Sequence, residues 1–147
     1  MKQGELMYMV EEILKEANAG ILSTIDEKGK ARMRWMTPVL LPGRKDAVYS
    51  VTAKNSEKVN HITRNPEVEW MIQTRSLDKI ITLRGKASVL EHPSLKNEIL
   101  EAVGNRLTMF WKINEDLDDF VVLETQIDSG GLFLPMKPAN YRIDFDG

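Results

Sequence analysis

Two tight turns cut the stretch between residues 20 and 52 into three short β-rich runs, and this punctuation constrains the fold more than any other feature. The first run, Gly20-Ile-Leu-Ser-Thr-Ile25, ends at Asp26-Glu-Lys-Gly29, where glycine supplies the positive φ of a tight hairpin. The second run, 31–41, ends at Pro42-Gly43-Arg44-Lys45-Asp46, and the third covers 47–52. Connections this short leave no room for the crossover of a parallel pair, so the runs predict an antiparallel meander. Pro38 lies inside the second run and has no N–H to give to a ladder. It predicts a bulge, a sheet edge or a strand break there.

Helices and further strands account for the rest. Leu6, Met9, Val10, Ile13, Leu14 and Ala17 recur at helical spacing, with charged residues mostly opposite and Gly20 as a stop. Ser56 is placed to cap a short helix over 56–64, which Asn65-Pro66 ends. Strands are expected over 68–74 and 79–90, and Gly85 inside the second marks a bulge or bend. His92-Pro93-Ser94 opens a helix through Val103, and a further helical stretch covers 107–113. A strand over 120–127, a turn at Ser129-Gly-Gly131, a return over 132–134 and a last strand over 141–145 complete the order. Six or seven mainly antiparallel strands with peripheral helices make an α+β, mainly β, barrel the expected class. Closing such a sheet also removes exposed edges.

A chain of 147 residues can bury one good core, and 1–147 is expected to be a single domain. Lys and Arg total 20 against 22 Asp and Glu, so no net field favours nucleic acid. The sequence has no cysteine, which removes disulfides, thiolate nucleophiles and Cys-based metal sites. Two histidines, His61 and His92, are too few for a His-rich metal cluster. The opening MKQGELMYMVEEILKEA interrupts its apolar positions with acids, which fits neither a signal peptide nor a membrane span. A cytoplasmic location without membrane partners is therefore the expectation.

Two stretches carry candidate chemistry. In Ala31-Arg-Met-Arg-Trp-Met-Thr-Pro38, strand alternation puts Arg32, Arg34 and Met36 on one face and Met33, Trp35 and Thr37 on the other. Two arginines on one face can grip a phosphate bidentately; the same pattern also fits a solvated face with Trp35 buried behind it. In Thr52-Ala-Lys-Asn-Ser-Glu-Lys58, a polar loop runs into a helix start whose free N–H groups favour an anion. Lys58 adds charge, and Thr52 and Ser56 add hydroxyls; the competing reading is an ordinary capped surface helix, with Lys54 a solvated charge. Because the stretches flank one hairpin, an arginine from the first and the helix start from the second can converge on one phosphate.

The order of these segments resembles the FMN-binding split barrels related to pyridoxamine-phosphate oxidase, especially the general-stress-protein branch. The landmarks are Gly20-Ile-Leu-Ser-Thr-Ile25, Arg34-Trp35-Met36-Thr37, Ser56-Glu-Lys-Val-Asn-His-Ile-Thr-Arg-Asn-Pro66 and Leu83-Arg-Gly-Lys-Ala87, within residues 5–105. The resemblance implies a split barrel with FMN bound between two subunits of a homodimer. By the same resemblance Arg34, Ser56 and Lys58 contact the phosphate, the backbone of Trp35, Met36 and Thr37 faces the isoalloxazine edge, and Val51 and Thr52 hold the ring or ribityl chain. Three positions depart from the oxidases themselves. Glu57 stands where they have an arginine beside the lysine, Val39 falls near their substrate lysine, and Ile80 replaces a flavin-contacting glutamine. Their C-terminal substrate segment has no match either. The resemblance thus implies a flavin-dependent oxidoreductase of unknown substrate that lacks the named oxidase activity. A flavin-binding or redox-sensing module without turnover, a barrel for haem or a deazaflavin, and a dimeric interaction protein without cofactor are the alternatives.

Other residues carry bland expectations. His61, one turn after Lys58, can lie near a cofactor, but the bland expectation is a partly exposed, structural histidine; His92 is expected in a turn. Trp70, Phe110 and Trp111 read as core or interface. Glu115, Asp116, Asp118 and Asp119 form an acidic run without the periodicity of a calcium loop.

Overall fold

In the computed structural model, which describes residues 1–104 and 119–146, three helices and seven strands follow one another along the chain. They are α1 (Gln3–Ala17), β1 (Gly20–Ile25), β2 (Ala31–Met36), β3 (Ala47–Ala53), α2 (Glu57–Arg64), β4 (Glu67–Gln73), β5 (Ile80–Leu90), α3 (Pro93–Val103), β6 (Phe120–Leu134) and β7 (Ala139–Asp144). The expected helix over 107–113, with Phe110 and Trp111, and most of the acidic run lie outside the described residues.

The strands form one antiparallel sheet in the order β2-β1-β4-β5-β6-β3, with β7 also paired to β6. It is the curled, incompletely closed sheet of a split α+β barrel. Asp26 makes the first hairpin by accepting from the N–H groups of Lys28 and Lys30, each at 2.9 Å, while Gly29 takes φ +77°. The second strand is shorter than the 31–41 run. It ends at Met36, two residues before Pro38, and β2 is a sheet edge, so the proline acts as both edge and break. Beyond it the chain rejoins the sheet at one place only among the described residues, where Val39 and Tyr49 exchange backbone hydrogen bonds of 2.8 and 2.9 Å. That bridge draws β3 toward the β2 side of the opening.

Two glycines explain the shape of the long strands. At Gly85 the β5–β6 register shifts, and a Cβ there would overlap the carbonyl of Gln126, so the bulge needs glycine. The expected turn at Ser129-Gly-Gly131 does not exist: β6 runs unbroken through it, and the chain reverses at 135–138 instead. A Cβ on Gly130 would overlap the Leu6 side chain of α1, so this glycine admits a helix to the sheet and makes no turn.

Burial follows the two periodicities. α1 buries Leu6, Val10, Ile13 and Leu14 against the inward residues of the barrel strands, including Leu22, Trp70 and Leu83. The Trp70 indole donates to Thr125 Oγ1 at 3.1 Å, which satisfies its one polar atom inside the core. A second core lies under α3, where Leu95, Ile99 and Val103 meet Tyr49 and Val51 of β3. His92 is the N-cap of α3: its Nδ1 accepts from Leu95 N–H at 3.1 Å.

Candidate functional site

Arg34 leaves edge strand β2 and turns inward over β1. Its Nη1 donates to Thr24 Oγ1 at 2.7 Å, to Arg32 O at 3.2 Å and to Leu22 O at 3.3 Å. Three acceptors at one nitrogen pin that corner of the guanidinium. Among the described residues no hydrogen bond uses its Nε or Nη2. Burial, then the charge of Arg32, push its pKa down, with Glu57 opposing; the group remains a cation at any ordinary pH.

The opposite side of the opening is built by β3 and α2. Lys58 Nζ donates to Thr52 Oγ1 at 2.8 Å, and Ser56 Oγ lies 3.5 Å from the same hydroxyl. Burial and then the Arg34 charge hold Lys58 below the ordinary lysine range. Both cations are half-buried, and Lys58 lies within reach of the Arg34 charge.

Ser56 departs from expectation. It occupies the N-cap position, but its side chain caps nothing. Its hydroxyl lies toward Thr52, and the N–H groups of Glu57 and Lys58 meet no acceptor among the described residues. The first turn of α2 is therefore left open to an acceptor from outside the helix. Glu57 does not occupy that place. Its side chain is 78 % exposed and pairs with Arg32 at 3.7 Å, while Arg32 also reaches Asp26 at 3.6 Å. Lys54 is occupied elsewhere, 2.7 Å from Glu91.

The structure therefore brings Arg34, Thr52, Ser56 and Lys58 into one cluster, and the other four expected residues do not share it through their side chains. Met36 packs in the barrel core and Val51 in the core under α3. Thr37 lines a cleft between α1 and α3, beside Leu14, Pro38 and Val103. Trp35 is not buried behind the arginines: it is 64 % exposed on the outer sheet face. Only the backbone of these residues is left to meet a ligand at the cluster.

Thr24 escaped the sequence reading, and His61 was expected mainly as a structural residue. Thr24 is fully buried and links Arg34 to His61, whose Nδ1 lies 2.9 Å from Thr24 Oγ1. His61 is 5 % exposed rather than partly open, because it projects from α2 onto β1. The available signal was a hydroxyl two residues after Leu22, at an inward strand position.

Two cations, the hydroxyls of Thr52 and Ser56 and uncapped helix amides form a donor-rich cluster, the chemistry suited to a phosphate group. The molecule is thus a split-barrel protein with a donor-rich cluster between its β2–β1 edge and the start of α2. The family model described as pyridoxamine 5'-phosphate oxidase matches residues 8–132, and the chain belongs to that family. Solved structures share the fold. General stress protein 26 from Bacillus anthracis str. Sterne is 24 % identical with a TM-score of 0.70, over 95 % of this chain and 99 % of that one. A protein from Clostridium acetobutylicum related to general stress protein 26 is 13 % identical with a TM-score of 0.77, over 99 % and 98 %. A heme binding protein from Mycobacterium smegmatis is 19 % identical with a TM-score of 0.70, over 92 % of this chain and 56 % of that one. Among curated proteins no match is found.

Proposed function

We propose that this protein binds FMN, as a cytoplasmic homodimer, and serves as a flavin-dependent oxidoreductase distinct from pyridoxamine-phosphate oxidase itself. The observation that carries the reading is the convergence of Arg34 and Lys58 on one place, with Thr52 bonded to Lys58 and the α2 amides uncapped. Two like charges held together out of water are unfavourable unless an anion joins them. Arg34, Ser56 and Lys58 would hold the phosphate. The backbone of Trp35, Met36 and Thr37, with Val51 and Thr52, would line the ring and ribityl chain. Bound FMN supplies hydride or electron transfer; the protein's own contribution is to bind it and orient it. Glu57 is compatible with this, since it turns out toward Arg32.

The dimer has its own support. Met33 and Trp35 of β2 are 72 % and 64 % exposed, and Met71 on the same outer face is 40 % exposed. Such an apolar patch on an edge strand and its neighbours suits a second copy of the chain. No described helix is long and apolar enough to cross a membrane.

The test is the visible absorption spectrum of the purified protein before and after adding excess FMN and desalting. Flavin bands at about one per subunit, as two equivalent sites in a dimer require, support the reading. Failure to retain flavin overturns it. A Soret band in its place favours haem, the ligand named for the Mycobacterium smegmatis neighbour. Flavin that binds but resists reduction by NADH and NADPH favours a non-catalytic or sensing role.

A further inference from the structure

Arg34 does not stand alone at the cradle. Thr24, with no exposed surface, sits between it and His61. A guanidinium can only donate, so the Thr24 hydroxyl accepts from Arg34 Nη1. The hydroxyl then has one proton to spend inside the protein, and His61 Nδ1 at 2.9 Å is placed to accept it. That arrangement is the imidazole tautomer with its ring proton on Nε2. The contacts connect Arg34, Thr24 and His61 and so span β2, β1 and α2.

Two consequences follow from the placement. Arg34 is fixed at its Nη1 corner, and its Nε–Nη2 edge, unused among the described residues, suits two oxygens of one phosphate. His61 lies three residues after Lys58 on α2, so the bond that orients Arg34 also ties down the helix that carries Lys58. The spacing between the two cations is set through Thr24 and His61.

We propose that Thr24 and His61 are positioning residues that make the cradle selective for a phosphorylated ligand over its unphosphorylated counterpart. They touch no ligand; they act through Arg34 and the start of α2. The proposal rests on the FMN reading of the same cluster.

The experiment is titration of flavin fluorescence with FMN and, separately, with riboflavin, for the wild type and for Thr24→Val, Thr24→Ser and His61→Leu. Thr24→Val keeps the shape and removes the hydroxyl. It is expected to weaken FMN about tenfold, the loss of one charged hydrogen bond's worth of binding, while riboflavin affinity stays put. Thr24→Ser is expected to restore the FMN preference, a rescue that packing alone does not predict. His61→Leu, which removes the proton acceptor at similar volume, should reduce the preference in the same direction and gives a second route if Thr24→Val folds poorly. Equal weakening of both flavins, or unchanged FMN affinity in Thr24→Val and His61→Leu, overturns the positioning role while leaving FMN binding intact. A wild type that binds FMN no better than riboflavin, or binds neither, overturns the phosphate reading and this proposal with it.

Discussion

Lys58 and Arg34 reach one place from α2 and β2, and the Arg34 charge adds to burial in holding the Lys58 ammonium below the ordinary lysine range. A lysine with a depressed folded pKa works against folding wherever it is charged in both states. That penalty is present at neutral pH and lifts only at alkaline pH, as the group titrates above its folded value. Lys58→Met is therefore expected to melt no lower than the wild type in thermal unfolding, while FMN affinity falls at least about tenfold. A clear loss of melting temperature with unchanged FMN affinity would make Lys58 a structural residue.

The acid limb of stability has a different origin. Asp26 is held below the ordinary carboxylate range chiefly by the Lys30 N–H, Asp78 by the Thr74 hydroxyl and Glu91 by Lys54. Depressed carboxylates contribute stability above their unfolded pKa and lose it as pH falls through the folded value. Melting temperature is expected to drop as pH falls below about 4. Asp26→Asn should start lower at neutral pH and fall less steeply, because Asn cannot be protonated there. A curve parallel to the wild type would remove Asp26 from this account.

Gly85 and Gly130 both lack room for a Cβ, but their neighbours differ. At Gly85 the obstacle is the Gln126 backbone within a paired strand; at Gly130 it is the end of the Leu6 side chain. A side chain can change rotamer and a ladder cannot. Gly85→Ala is expected to cost about 3 kcal/mol or more and Gly130→Ala about 1–2 kcal/mol, read from urea unfolding midpoints. The reverse order would contradict the packing.

Trp35 and Met71 stand either side of Ile21 across three neighbouring strands, so one outer face carries their exposed apolar surface. Trp35→Glu is expected to shift sedimentation from dimer to monomer. A wild type already monomeric at micromolar concentration, or a dimer untouched by the substitution, would rule that face out as the subunit contact.

The local architecture was legible in the chain because each piece has a local cause. Asp26 and Gly29 make the first turn, Asn65-Pro66 ends α2, and Gly85 marks the bulge. Arg34, Ser56 and Lys58 were legible as cradle candidates because their residue types and order are themselves the signal. What failed were judgements that need the other side of a contact. Gly130 read as a turn because nothing in its neighbourhood announces Leu6, 124 residues away in sequence. The reading with Trp35 buried behind the arginines failed because an edge strand leaves one face uncovered, although an aromatic on a strand is usually inside. His61 read as partly open because short-helix periodicity does not say which sheet the helix will cover. By itself, then, the sequence determined the turns, the strand and helix types and the set of charged and hydroxyl groups available for an anion, since these follow from backbone sterics and residue chemistry over a few positions. Only the tertiary structure decided that Thr24 and His61 stand behind Arg34, because the curl of the sheet brings α2 onto β1, and long-range packing fixes that geometry.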